Sequence, residues 1–195
     1  MRDPIRLVVL ISGGGTTLQN LLDRIADGRL RATVVGVVSS RADAFGLERA
    51  KRAGVPAVVV PKGQAEATWT AIRGFNPDLV ILGGWLNLLP IPDDYRERVL
   101  NIHPALLPAF GGRGMYGHRV HEAVLASGVS ESGCTVHFAD NGYDTGPILV
   151  QKRVPVHPTD TPATLAARVF EAECEAYPEA ITALAARRSE TPTPD

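Results

Sequence analysis

Residues 5–11, Ile-Arg-Leu-Val-Val-Leu-Ile, form a nearly continuous apolar run that stops at Ser12-Gly13-Gly14-Gly15-Thr16-Thr17. A strand buried on both faces reads this way. Beyond the glycines, Leu18, Leu21, Leu22, Ile25 and Ala26 fall at helical spacing, and Gly28 can end that helix. Strand, glycine loop and helix in immediate succession leave few folds open. The strand belongs inside a parallel sheet, with its helix crossing one face.

The alternation continues along the chain. Residues 33–38 read as a second strand, 42–53 as a helix closed by Gly54, 57–60 as a short strand and 64–75 as a third helix. Residues 79–82 make a fourth strand, and 92–99 a short helix before the strand that carries Asn101 and His103. His118 and His121 open a further helix that ends at Gly128. Short links between such elements predict right-handed crossovers and a parallel sheet. Residues 134–139 and 147–154 read as a hairpin-like antiparallel pair at the sheet edge, joined by a turn. The last helix spans 162–187. The expected class is α/β, Rossmann-like, with a mostly parallel central sheet, helices on both faces and an antiparallel pair toward the C-terminal part. A ligand then belongs at the carboxyl ends of the strands, where strand order switches.

At 195 residues the chain suits one domain, over 1–188, with Ser-Glu-Thr-Pro-Thr-Pro-Asp at 189–195 expected as a disordered tail. Lys+Arg and Asp+Glu number 20 and 21, and no basic run is present, which argues against nucleic-acid binding. Cys134 and Cys174 have neither metal spacing nor a disulfide framework, so both read as core thiols in a reducing, cytoplasmic setting. The apolar run at residues 7–11 is too short for a signal peptide or a membrane span.

The densest chemistry lies in Leu100-Asn101-Ile102-His103-Pro104-Ala105-Leu106-Leu107-Pro108. Asn101 and His103 are two apart on a strand, so both side chains take one face. An amide can hold a developing oxyanion, and an imidazole can move a proton near neutral pH. A hydrogen-bonded strand end before a loop is the structural alternative. Farther along, His137 and Asp144 flank the turn. An Asp beside a His fixes its tautomer and stabilises its cation, but spacing does not choose between Asp140 and Asp144, and turn chemistry explains an Asp equally.

The glycine loop lacks the last Gly of a dinucleotide fingerprint and the Lys of a Walker A. The second strand ends in Ser39-Ser40-Arg41, with no acid for a ribose. A single phosphate on backbone N–H groups fits better, against a plain tight turn. Gly83-Gly84-Trp85-Leu86-Asn87-Leu88-Leu89-Pro90 follows the fourth strand, either as a core-facing loop or as the wall of a pocket for a flat heteroaromatic ring. Glycines 111, 112, 114 and 117 mark a loop that either closes over a substrate or lies idle on the surface. His118 and His121, with no carboxylate pair nearby, read as solvent-facing or capping residues rather than metal ligands. Glu173 falls on the apolar stripe of Ala166, Val169, Phe170, Tyr177, Ile181 and Leu184. A carboxylate there needs a partner, either structural or a substrate ammonium.

Leu10-Ile11-Ser12-Gly13-Gly14-Gly15-Thr16-Thr17-Leu18-Gln19, Ala42-Asp43-Ala44-Phe45-Gly46-Leu47-Glu48-Arg49-Ala50, Asn101-Ile102-His103-Pro104-Ala105-Leu106-Leu107-Pro108, and Val136-His137-Phe138 with Tyr143-Asp144-Thr145-Gly146-Pro147 resemble the glycinamide ribonucleotide formyltransferases. That is a folate-dependent family of purine (IMP) biosynthesis, and the resemblance runs from about Ile5 to Leu184. It implies the formyltransferase fold and formyl transfer from 10-formyltetrahydrofolate to the glycyl amine of phosphoribosylglycinamide. Asn101 and His103 then stabilise the oxyanion, and Asp144 orients His103 and helps relay protons, with His137 in support. Gly13, Gly14, Gly15, Thr16 and Thr17 take the phosphate, and Glu173 the amine. Trp85, Leu86, Asn87, Leu88, Leu89, Asn101, Asp140 and Asp144 bind the folate.

The resemblance implies no metal, small-molecule substrates only, and a monomer or homodimer. The chain departs from better-known bacterial members in having Gly14-Gly15-Thr16-Thr17 for Asn-Gly-Ser-Asn, Asn87 for an Arg, and a longer, glycine-rich segment over 110–117. Two other readings stay open. One is the same trio acting on another acceptor: initiator tRNA, a sugar nucleotide, or water in a formyltetrahydrofolate hydrolase. Relatives acting on tRNA or water usually carry an additional domain, which a chain running from first strand to last helix is not expected to have. The other is a non-enzymatic binding module on the same sheet.

Overall fold

β1 (Ile5–Ile11) is the hub of a seven-stranded sheet in a computed structural model that describes residues 3–187. The strand order is β3-β2-β1-β4-β5-β6-β7, with β2 at Ala32–Ser39, β3 at Ala57–Val59, β4 at Leu79–Leu82, β5 at Val99–His103, β6 at Glu131–Phe138 and β7 at Ile148–Pro155. The first five strands run parallel, and β6 runs antiparallel to both of its neighbours, β5 and β7. The chain steps outward from β1 to β3, then returns to the other side of β1 with β4. Strand order therefore reverses between β1 and β4, which opens a crevice at their carboxyl ends. The expected tail at 189–195 lies outside the described residues.

Among the described residues five α-helices cover the sheet: α1 (Thr16–Ala26), α2 (Phe45–Arg52), α3 (Ala65–Gly74), α4 (His118–Ala126) and α5 (Pro162–Arg187). β1 supplies both cores, because successive strand side chains face opposite ways. Leu7, Val9 and Ile11 join Leu18, Leu21, Val120, Val124 and Ile181 on one face. Val8 and Leu10 join Trp69, Ile72, Trp85 and Tyr95 on the other. No helix among the described residues is long and apolar enough to cross a membrane. Cys134 and Cys174 are free thiols, and burial pushes Cys134 up to about 12.

α5 holds the site from behind. Thr161 Oγ1 accepts the Thr164 N–H, and Pro162 takes the first helical position, where its missing donor costs nothing. One buried face of α5 carries Tyr177, whose hydroxyl reaches the carbonyls of Leu100 at 2.8 Å and Leu82 at 3.1 Å. That fork fixes the helix across the ends of β4 and β5.

Four expectations need correction. The helix expected over 42–53 begins at Phe45: Arg41 and Asp43 pair with each other, and Ala44 is extended at φ −66 and ψ 122. The helix expected over 92–99 is a single 3-10 turn at Asp93–Tyr95, since Glu97 is left-handed and Val99 already belongs to β5. His118 faces solvent as expected, but His121 is buried beside Val120 and Val124 on the inner face of α4. Burial holds its pKa below the usual histidine value, and among the described residues its Nδ1 has no hydrogen-bond partner. The α5 stripe also starts at Leu165 rather than Ala166.

Candidate active site

A cavity of about 540 Å³ opens at the carboxyl ends of β1, β4 and β5. It is lined by residues 13–17 after β1, 82–89 at the end of β4, 101–104 at the end of β5, 112–117, parts of the 137–144 segment, and Glu173 from α5. Asn101, His103, His137, Asp140, Asp144 and Glu173 thus meet the glycine loop and the 85–89 wall around one space. Neither His118 nor His121 lines it. Among the described residues no group of three or more His, Cys, Asp or Glu is placed to hold a metal ion.

The polar centre is built from three elements. β5 presents Asn101 and His103 on one face, and β6 pairs His137 opposite Asn101. The turn after β6 delivers Asp144 from a left-handed backbone at φ 58, a conformation costly for a non-glycine residue and often found at functional sites. Asp144 Oδ2 lies 3.4 Å from His103 Nδ1 and accepts the Gly112 N–H at 3.0 Å. Its Oδ1 accepts the Asn101 amide N–H at 3.2 Å and stands 3.6 Å from His137 Nε2.

These contacts fix the hydrogens. His137 Nδ1 donates to the Phe138 carbonyl at 2.8 Å, leaving Nε2 as an acceptor for Asn101 Nδ2 at 3.1 Å. A flipped Asn101 amide would face two acceptors with its oxygen, so this orientation alone satisfies the network. Both Asn101 N–H groups are engaged. His103 Nε2 donates to the Phe110 carbonyl at 2.8 Å, so in the neutral ring Nδ1 is the free base beside Asp144.

Burial holds the His103 pKa below its ordinary value, with Asp144 acting in the opposite direction. Burial also opposes ionisation of Asp144, but the charge that the His103 ring can carry and the Gly112 N–H hold its carboxyl below the usual range. Asp140 lines the same cavity and also shapes its turn. Its carboxylate accepts the Gly142 N–H at 2.9 Å and the Thr145 hydroxyl at 2.8 Å, building the turn that aims Asp144.

Phe110 and Gly112 were invisible to sequence reasoning because they act through backbone groups. The only available signal was the glycine cluster. The 112–117 segment lines the cavity, so it is a wall of the site rather than an idle surface loop.

At the far side, Gly15 is the left-handed N-cap of α1 at φ 68, with no side-chain cap. Among the described residues no N-cap side chain bonds the first-turn N–H groups of α1, which a helix leaves without intrahelical partners. Gly46 of α2 packs against this turn so closely that a Cβ on Gly15 would stand 2.7 Å from the Gly46 Cα. Ser12 Oγ receives the Ser40 hydroxyl at 2.7 Å and the Leu86 N–H at 3.3 Å, linking the glycine loop to the 85–89 wall. In that wall Trp85 and Leu89 are buried, Leu86 and Leu88 are exposed, and Asn87 is half-buried. Glu173 looks in from α5. Burial alone pushes its carboxyl up to about 7, and among the described residues it forms no ion pair or hydrogen bond.

A doubly wound sheet whose switch-point cavity joins a glycine-lined helix start to an Asn–His–Asp cluster defines a Rossmann-like domain with a cavity of small-molecule size. The chain belongs to the formyl transferase family, whose model matches residues 5–181. It is 41% identical over 193 residues to the chloroplastic phosphoribosylglycinamide formyltransferase of Arabidopsis thaliana, covering 94% of this chain and 66% of that protein. It is 39% identical to the human trifunctional purine biosynthetic protein adenosine-3, covering 92% of this chain and 18% of that protein. The chain thus spans under two thirds of the length of these curated relatives. The crystal structure of glycinamide ribonucleotide transformylase 1 from Symbiobacterium toebii superposes with a TM-score of 0.84 at 43% identity, covering 91% of this chain and 86% of that one. Phosphoribosylglycinamide formyltransferase from Brucella melitensis gives 0.84 at 37% identity, covering 94% and 97%.

Proposed function

We propose that this protein transfers the formyl group of 10-formyltetrahydrofolate to the glycyl amine of phosphoribosylglycinamide, giving formylglycinamide ribonucleotide and tetrahydrofolate for purine synthesis. The observation that carries this reading is the Asn101–His103–Asp144 cluster, set between a glycine-capped helix start and an aromatic-backed wall in one cavity. The relatives named for this reaction point the same way.

The proposed roles follow from the contacts. The phosphate rests on the N–H groups of residues 13–17. Glu173, facing the cavity without a protein partner, receives the substrate amine. The folate ring lies along residues 85–89 and the turn at 139–144. Attack of the neutral amine on the formyl carbon creates an oxyanion and an ammonium centre. Asn101 and His103 donate to that oxygen, trading the Asn101 bond to Asp144 and the His103 bond to the Phe110 carbonyl for charge-assisted ones, which are stronger. Asp144 stabilises positive charge on His103 and, through water, helps carry the proton lost by the amine to the departing folate nitrogen. Atoms balance: the amine loses one hydrogen and tetrahydrofolate gains it. No step requires a metal. The free thiols Cys134 and Cys174 suit a reducing cytoplasm.

The test is a spectrophotometric assay of 10-formyltetrahydrofolate deformylation with and without phosphoribosylglycinamide. Turnover that requires the nucleotide supports the reading. Turnover on water alone would make the protein a hydrolase, and none with either would remove this acceptor.

A further inference from the structure

We infer that Arg49 is a positioning residue that turns the glycine peptides after β1 so that their N–H groups face the nucleotide phosphate. The inference rests on the proposed phosphate reading of residues 13–17.

Nothing local determines how those peptides face. A Cβ built on Gly13 or on Gly14 meets no atom within 4 Å, so neither glycine is wedged by packing. Glycine also carries no intrinsic preference for one backbone rotation. The orientation is imposed from α2. The Gly13 carbonyl accepts the Gly46 N–H at 3.0 Å, and the Gly14 carbonyl accepts Arg49 Nε–H at 2.8 Å. In a trans peptide the carbonyl and the next N–H point opposite ways across one plane. Tying both carbonyls to α2 therefore turns the N–H groups of Gly14 and Gly15 away from α2. Both residues line the cavity.

The guanidinium is itself held in place. Its Nη1 donates to Gln19 Oε1 of α1 at 3.0 Å, and its carbon lies 5.1 Å from the centroid of the Phe45 ring. Its planar fork spans the Gly14 carbonyl and Gln19 at once, which a lysine ammonium does not reproduce. Arg49 thus acts on the phosphate through the backbone rather than by touching it.

The test compares kcat/KM on phosphoribosylglycinamide with kcat/KM on its dephosphorylated ribonucleoside. The wild-type protein favours the nucleotide. In Arg49→Ala that preference falls roughly tenfold or more, the scale of a hydrogen bond to a charged group, through a raised KM for the nucleotide and not for 10-formyltetrahydrofolate. Arg49→Lys keeps the charge but not the fork and loses most of the same preference. Gln19→Ala frees the far end of the guanidinium and gives a smaller loss of the same kind, so the inference stays testable if Arg49→Ala does not fold. An Arg49→Ala protein that keeps the wild-type preference, or loses activity equally on both substrates, overturns the inference. A wild-type protein indifferent to the phosphate overturns the phosphate reading beneath it.

Discussion

Asp144 places Oδ2 3.4 Å from His103 Nδ1 from a backbone held left-handed at φ 58, so the pairing is built by the turn and not by the strand that carries the histidine. Asp144→Asn removes the charge while keeping the shape. The folded state is expected to persist, with the Gly112 N–H still bonded through the amide oxygen. Turnover should fall by on the order of a hundredfold or more, as when an oriented histidine loses its acid partner. A melting curve and steady-state kinetics on the same preparation check this; near-normal turnover removes Asp144 from the mechanism.

Glu173 makes stability depend on pH. Its carboxyl is pushed from 4.5 up to about 7 by burial, so the folded protein keeps a proton that the unfolded chain has already released. Folding stability must then fall as pH rises from the first value to the second, and stay lowered above it. Glu173→Gln abolishes that slope. Urea midpoints of variant and wild type should nearly coincide at acid pH and separate at alkaline pH, with the variant more stable by on the order of 3 kcal/mol. Parallel pH profiles would contradict this account.

The approach of Gly15 to Gly46 predicts a contrast between neighbours. Gly15→Ala forces a side chain into a left-handed residue and sets its Cβ 2.7 Å from the Gly46 Cα. A loss of about 1–3 kcal/mol is expected from backbone strain and displacement together. Gly14→Ala, with open space at its Cβ, should change stability by no more than about 0.5 kcal/mol. Chemical denaturation of the two variants side by side decides whether the loop is shaped by that contact.

Tyr177 predicts a cost for removing a single oxygen. Tyr177→Phe leaves the buried carbonyls of Leu82 and Leu100 without their shared donor. A loss of about 1–3 kcal/mol is expected. A shift in the denaturation midpoint at constant slope measures it, and no shift would mean that α5 is held by packing alone.

Much of the scaffold was legible because it is written in near neighbours. The runs at β1 and β4 and the spacing along α1, α3 and α5 report local periodicity, which burial on one or both faces imposes. Errors fell where a local turn or inward packing overrode that pattern. Arg41 and Asp43 delay the start of α2, and the left-handed Glu97 stops the stretch before β5 from becoming a helix. His121 looked surface-bound because its neighbour at i−3 is, yet it turns inward with Val120 and Val124.

By itself the sequence determined the alternating α/β order, the pairing of Asn101 with His103 on one strand face, and the misplaced acid at Glu173. Only the tertiary structure decided which aspartate reaches the Asn101–His103 pair. Asp140 spends its oxygens on its own turn, and Asp144 reaches across to β5. It also decided that Gly46 and Arg49 orient the glycine loop and that the Phe110 carbonyl and Gly112 N–H complete the polar cluster. The physical reason is the range of the interactions. Periodicity is set within a few residues, whereas a hydrogen bond between distant segments exists only once the sheet order and the turns have brought its two ends within 3 Å or so of each other.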